Sequence, residues 1–204
     1  MRWGMVIEGD KCIGCRACVL ACKAENGTPP NVFFADLMQV EEGKGAGTRR
    51  IWLPKLCMHC EDPLCVKACP TGATQQREDG IVWIDYDKCM GCRACMEACP
   101  YEVRFYFDKR DQKYYYPEGP TPYELQMEKK WGYQQGTVMK CNLCMDRLDA
   151  GEKPVCVETC MTQCRTVGDL DDPESDVSKL IVNRGAIQLK PEAGTSPCVF
   201  YVFK

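Results

Sequence analysis

Apolar positions along this chain come in short runs broken by turn residues, and none reaches the roughly 18 residues a membrane-crossing helix needs. Ile81-Val82-Trp83-Ile84-Asp85 follows a turn at Glu78-Asp79-Gly80 and predicts a strand. The stretch from Leu37 to Leu53 predicts a hairpin that turns at Gly43-Lys44-Gly45-Ala46-Gly47. Val103-Arg104-Phe105-Tyr106-Phe107 and Lys113-Tyr114-Tyr115-Tyr116 flank a charged turn and predict a second hairpin. Residues 117–136, rich in Pro, Tyr and charge, predict an irregular excursion. Asp172-Pro173-Glu174 predicts a helix start, with Asp172 as N-cap and Pro173 in the first turn, ending near Gly185. Cys198 to Phe203 predicts a last strand. The expected class is α+β.

Cysteine changes this picture. Sixteen of the 18 cysteines fall into four groups of four. Cys12, Cys15, Cys18, Cys22 and Cys89, Cys92, Cys95, Cys99 both read Cys-x-x-Cys-x-x-Cys-x-x-x-Cys, the bacterial run for cubane iron–sulfur clusters. Cys57, Cys60, Cys65, Cys69 stretches one gap, and Cys141, Cys144, Cys156, Cys160 stretches the same gap further. The groups also repeat in sequence. Cys12-Ile13-Gly14-Cys15-Arg16-Ala17-Cys18 matches Cys89-Met90-Gly91-Cys92-Arg93-Ala94-Cys95 at all but one position, which predicts a duplicated unit. Gly14 and Gly91 suit a backbone that must wrap closely around a cluster.

The middle of the chain reads as a complete two-cluster ferredoxin, with Pro70 and Pro100 each following the fourth Cys of its run. In that pattern the fourth Cys ligates the other cluster. One cluster is therefore expected on Cys57, Cys60, Cys65 and Cys99, and another on Cys89, Cys92, Cys95 and Cys69. By elimination the outer groups pair: Cys12, Cys15, Cys18 and Cys160 for a third, and Cys141, Cys144, Cys156 and Cys22 for a fourth. Lys23 and Met161 stand where this pattern usually has Pro. Four 4Fe-4S clusters are expected, with iron held through these sixteen Cys and no catalytic residue.

Other readings fit less well. The cysteines bunch too tightly for all to reach disulfide geometry. Zinc suits paired Cys-x-x-Cys units, and the fourth group alone resembles one, but the tight triplets do not. A radical-generating enzyme would show a Cys-x-x-x-Cys-x-x-Cys run, which is absent. The Gly43–Gly47 run lacks the Gly-Lys-Ser/Thr end of a phosphate loop. Cys164 and Cys198 are left over and read as buried small hydrophobes, with a redox or ligand-swapping role as the alternative. His59, the only histidine, is read as a hydrogen-bond donor to sulfur or backbone rather than a protonation switch. The aromatic stripe at 105–116 reads as packing or interface rather than a quinone pocket.

Net charge is −3, and nothing suggests nucleic acid. Lys11, Arg16, Lys23, Lys55, Lys67, Lys88, Arg93, Lys140, Arg147 and Arg165 lie near the cysteines, where cations lower the cost of burying an anionic cluster. Residues 1–8 lead at once into Cys12 with no apolar signal core, and Arg49-Arg50 is mid-chain, so no export signal is expected.

The four groups in this order resemble the iron–sulfur subunit of membrane-associated molybdopterin oxidoreductases, and within it the subunits of polysulfide, thiosulfate and respiratory arsenate reductases. The similar stretches are 12–26, 56–73, 81–101, 140–160, 168–175 and 189–195; residues 108–137 are the least familiar. The resemblance implies duplicated bacterial-ferredoxin-like repeats with inserted β-hairpin arms in one compact unit, 1–204. It would hold an inner two-cluster module at 55–105 and an outer one at 1–30 plus 138–172. Arms at 31–54 and 105–137 and a C-terminal helix and strand at 173–204 would complete it. It also implies a catalytic partner with a molybdenum or tungsten bis-pterin cofactor, a membrane anchor subunit, and no membrane span in this chain. Some relatives replace one ligand Cys with Trp and hold a three-iron cluster; here all sixteen are Cys. The expected role is a non-catalytic electron relay between the pterin subunit and a quinone-reactive or other redox partner. Its place is a membrane-associated complex on the extracytoplasmic face, reached on the partner's signal, or alternatively the cytoplasm. A free polyferredoxin or a hydrogenase- or formate-linked subunit is the other reading.

Overall fold

Met5-Val6-Ile7 has nowhere to meet water, and in the computed structural model, which describes residues 1–203, it forms the centre of a four-stranded sheet. Strand β1 (Trp3–Glu8) pairs with β8 (Arg165–Asp169) on one side, antiparallel, and with β10 (Val199–Val202) on the other, parallel. A short β9 (Ile187–Gln188) closes the order β8-β1-β10-β9. Strand alternation divides the apolar side chains between two faces. Met5, Ile7, Val199 and Tyr201 point into the main core, while Val6 and Val202 pack under Val177, Leu180 and Ile181 of α7 (Asp176–Arg184). Tyr201 donates its hydroxyl to Pro54 O at 2.8 Å and so ties this sheet to a neighbouring hairpin.

That hairpin is β2 (Ala35–Glu42) and β3 (Arg49–Leu56), paired antiparallel from Ala35↔Leu56 out to Glu42↔Arg49. Its base is buried, and its tip is exposed and laced by Arg49–Glu42 and Arg50–Glu41 ion pairs. β4 (Thr74–Gln76) and β5 (Val82–Ile84) form a small hairpin over the Gly80 turn.

α7 begins later than the sequence suggests. Its cap is Ser175, which accepts from Ser178 N, and not Asp172; Gly185 ends it in the left-handed conformation. Asp172 instead accepts the backbone N–H of Glu174 in a turn, which is the competing use of a short acidic side chain before a helix. The last strand is Val199–Val202, inside the expected 198–203.

The second expected hairpin is not there. β6 (Arg104–Tyr106) pairs with β7 (Val138–Lys140), and Lys113–Tyr116 forms no strand. Residues 113–116 lack apolar–polar alternation. Three adjacent tyrosines put aromatic rings on both sides of an extended chain, which a strand with one buried face cannot use. The stretch expected to be irregular holds helix α4 (Pro122–Trp131), opened by a capping box in which Thr121 and Glu124 satisfy each other's backbone N–H.

The remaining helices are short and carry or follow cysteines: α1 (Ala17–Asn26), α2 (Leu64–Lys67), α3 (Ala94–Glu97), α5 (Met145–Asp149) and α6 (Val155–Glu158).

Candidate functional site

Matching sequence produces matching backbone. Gly14 and Gly91 take φ of +75° and +70°, and Arg16 and Arg93 cap α1 and α3 from the left-handed conformation. A Cβ on Gly14 would lie 2.2 Å from the Trp52 ring, and one on Gly91 only 1.8 Å from Gly136 O. These two turns therefore have no room for a side chain, and each brings two cysteines, Cys12 and Cys15 or Cys89 and Cys92, onto one tight loop. Pro63 and Pro154 open α2 and α6, which carry Cys65 and Cys156.

The thiols fall into four neighbourhoods. Burial raises the Cys18 thiol; Arg165 opposes this, and Cys156, Cys12 and Cys160 add to it. Cys15 stands exposed on the same loop as Cys12. Burial raises Cys22 well above its ordinary value, followed by Cys141, Cys156 and Cys144. Burial pushes Cys60 up to about 12, with a Thr195 hydrogen bond opposing and Cys57, Cys65 and Cys99 adding to it. Cys69, Cys89, Cys92 and Cys95 line one small cavity with Thr71, Thr74 and Gly91. Each neighbourhood draws its fourth thiol from a distant run.

The neighbourhoods also act on one another electrostatically, in order. Cys156 raises Cys18 across the first and second, and Cys57 raises Cys141 across the second and third. Arg104 acts on both Cys65 and Cys95, across the third and fourth. The result is one row rather than two separate pairs.

Three buried cations lie along that row. Arg165 is 3% exposed and donates from Nη2 to Cys18 Sγ at 3.4 Å, while its Nε and Nη1 are buried without a partner. Burial disfavours its charge, yet Cys156, Cys18 and Cys164 hold the guanidinium protonated beyond its ordinary range. Arg104 is 5% exposed, donates to Thr74 Oγ1 at 3.3 Å and leaves Nη2 unpartnered. Lys140 is 2% exposed and donates to the carbonyls of Val82 and Cys141. Arg104 and Lys140 are direct partners in the β6–β7 ladder. Like charges placed opposite one another repel, and buried charges without counter-charge cost several kcal/mol. No carboxylate pairs with any of the three among the described residues. Thiolates, and an anionic group bound by them, are the counter-charge the site requires.

Of the ten cations near cysteines in the sequence, only Lys140 and Arg165 are buried against thiols. Lys11, Arg16, Lys67, Lys88 and Arg147 pair with carboxylates instead. Lys55 lies 3.9 Å from Glu102, and the Arg93 guanidinium stacks 3.7 Å from the centre of the Tyr106 ring. Lys23 braces the 28–32 loop through Pro29 O at 2.6 Å and Val32 O at 2.9 Å. Arg104 escapes a search along the cysteine runs, because it follows no cysteine directly. Its signal is a charge within an aromatic strand, where an inward position needs a partner.

His59 accepts the Val82 N–H at Nδ1, 3.1 Å away, so toward backbone it is an acceptor rather than a donor. Its Nε2 is buried without a hydrogen-bond partner, so the expected donation to sulfur is not made, and His59 acts on Cys57 by proximity. Burial would raise the Cys57 thiol, but the neighbouring His59 and Lys140 outweigh it and bring Cys57 down to about 5. Cys164 and Cys198 are both buried. Tyr114, Tyr115 and Tyr116 line a separate cavity of about 610 Å³ with Phe33, Tyr123 and Lys23.

The donor set and charges fit iron–sulfur clusters. Zinc bonds to sulfur at about 2.3 Å and draws four ligands tightly together. Among the described residues, no three His, Cys, Asp or Glu side chains converge closely enough for one metal ion. Four thiols to a neighbourhood suit a polynuclear cluster.

The 4Fe-4S dicluster domain family matches residues 48–114 and 112–170, and a second 4Fe-4S dicluster domain family matches residues 11–73. The chain is 41% identical to a selenate reductase subunit of Mesobacillus selenatarsenatis, over 99% of its own length and 72% of that protein. It is 39% identical to the arsenate respiratory reductase iron–sulfur subunit of Shewanella sp., over 99% and 96%. It is 35% identical to a polysulfide reductase component of Wolinella succinogenes, over 98% and 94%. With thiols in four neighbourhoods, buried cations to balance them and this likeness along its length, the chain is a member of the 4Fe-4S dicluster family of reductase iron–sulfur subunits, and its work is electron transfer.

Proposed function

We propose that this chain is a non-catalytic relay with four 4Fe-4S clusters, built from two duplicated ferredoxin-like modules. The ligand sets are Cys12, Cys15, Cys18 and Cys160; Cys141, Cys144, Cys156 and Cys22; Cys57, Cys60, Cys65 and Cys99; and Cys89, Cys92, Cys95 and Cys69. The electrostatic couplings between thiol neighbourhoods support this order along a row. Bound clusters supply one-electron redox chemistry. The chain's residues hold the row together, keep water from its middle and balance its charge with Arg165, Lys140 and Arg104. The single observation that carries this reading is Arg104 opposite Lys140, two buried cations in one ladder with thiols as their anionic neighbours.

One end of the row serves a catalytic subunit carrying a molybdenum or tungsten bis-pterin cofactor, and the other a membrane anchor subunit or another redox partner. Relatives named as parts of selenate, arsenate and polysulfide reductases support such a complex. No described helix is long and apolar enough to cross a membrane, so attachment falls to the partner. The complex is membrane-associated, with its side of the membrane set by the partner's export signal.

The test is iron and sulfide analysis of the chain purified with its partner, alongside its Cys22→Ser variant. About 16 iron and 16 sulfide per chain are expected from four 4Fe-4S clusters. Cys22→Ser should disturb the cluster of Cys141, Cys144 and Cys156 and spare that of Cys12, Cys15 and Cys18. About 12 iron in a well-loaded sample, or zinc in quantity, overturns the stoichiometry. A fully loaded lone chain that reduces substrate overturns the relay.

A further inference from the structure

Four residues beyond the last cysteine of each run, the chain turns inward. These positions are Asn26, Ala73, Val103 and Cys164, and all are buried. Asn26 shows what the position faces: its Nδ2 donates to Cys22 Sγ at 3.6 Å. Ala73 and Val103 place only carbon there. Cys164 places a thiol there, with its Sγ 3.4 Å from Cys160 Sγ, and Cys12 also acts on it. Its position is fixed, because its carbonyl accepts the Glu8 N–H at 2.8 Å and the next residue, Arg165, reaches Cys18. Apolar packing accounts for the burial of Cys164. It does not account for a further thiol beside those of Cys160 and Cys12.

We propose that Cys164 is a reserve ligand, able to take the fourth position of the cluster assigned to Cys12, Cys15, Cys18 and Cys160 when the Cys160 sulfur leaves. This rests on that ligand assignment. The exchange is not a redox step. The iron–sulfur bond to Cys160 breaks, one to Cys164 forms, and the proton of the Cys164 thiol passes to the departing Cys160 sulfur. Charge and electron count are unchanged, and the two sulfurs are near enough for direct transfer. The gain is resistance to loss of the corner iron, the usual route from a four-iron to a three-iron cluster.

The experiment uses the chain in its complex and reads iron content and the electron paramagnetic resonance signal of an oxidised three-iron cluster. Cys160→Ala should keep its iron and show no such signal. Cys160→Ala/Cys164→Ala should lose about one iron per chain and show it. Cys69→Ala, whose position four residues on is Ala73, should lose iron as a single variant. If Cys160→Ala loses as much as the double variant, the reserve role is wrong and the ligand assignment stands. If the double variant keeps all its iron, the assignment itself fails. Cys164→Ala, which leaves all sixteen assigned ligands in place, covers the case in which the others do not assemble. It should be isolated with full iron, yet form the three-iron signal severalfold faster under ferricyanide. Unchanged kinetics, or iron already missing on isolation, overturns the proposal.

Discussion

Replacing Arg165 with methionine should lower the reduction potential of the nearest cluster by about 100 mV. The side chain is 3% exposed and its Nη2 lies 3.4 Å from Cys18 Sγ. An electron spread over a cluster bonded to that sulfur sits about twice as far away, roughly 7 Å, and at an effective dielectric constant of about 20 its attraction to a unit charge is about 2.4 kcal/mol. At about 2.3 kcal/mol per 100 mV, removing that attraction makes reduction harder by about 100 mV. The sign follows because a cation favours the more negative, reduced form. Methionine keeps much of the volume, so Ile7, the ladder partner of residue 165, retains a bulky neighbour. The control is Arg16→Met. Arg16 also adjoins the first cysteine run, but it is exposed and paired with Asp36 at 3.2 Å, so solvent screens it and its shift should stay within about 20 mV. A potentiometric titration followed by paramagnetic resonance reads both variants. A shift below about 20 mV in Arg165→Met, or equal shifts in the two, would refute the idea that buried charge sets this potential.

Three further outcomes follow from packing and charge. Gly91→Ala should destabilise by about 1 kcal/mol for its positive φ plus several more for the clash with Gly136 O, whereas Gly185→Ala, with open space around it, should cost only the first part; thermal melts compare them. Tyr201→Phe should cost about 1–2 kcal/mol by leaving Pro54 O unsatisfied, read from denaturant midpoints at unchanged slope. Stripping iron with a chelator under reduction should collapse the near-ultraviolet dichroism, since Arg165, Arg104 and Lys140 would lose their counter-charge; retention of the full native signal would show that the charges are balanced otherwise.

Sequence was informative wherever a pattern repeats or stands next to a cysteine. The spacing of Gly14 and Gly91 within their runs announced tight turns, and both take positive φ. The hairpin at 35–56 was legible because glycines mark its tip. Pairing across the fold was less so. Arg104 meets Lys140 only because β6 pairs across residues 107–137 with β7, whereas proximity along the chain suggested Lys113–Tyr116 instead. Thr121-Pro122-Tyr123-Glu124 carried a capping-box signature that the surrounding Pro and Tyr obscured. At the C-terminal helix the sequence pointed to Asp172, but Asp172 is taken up in a local turn and Ser175 caps the helix instead.

The parallel pairing of β1 with β10 has a consequence for biosynthesis. Met5 lies beside Val199, so β1 must wait for β10 to be synthesised. The ribosome releases the amino end long before its neighbour exists, and contacts of such span close slowly. Until then the opening strand, with its unpaired edge and three apolar residues destined for burial, is open to misassociation. The middle of the chain, whose thiols and short hairpin are local, can be finished earlier. Maturation should therefore proceed from the centre outward, with the terminal sheet as the final latch, and a chain truncated before residue 199 should never close it.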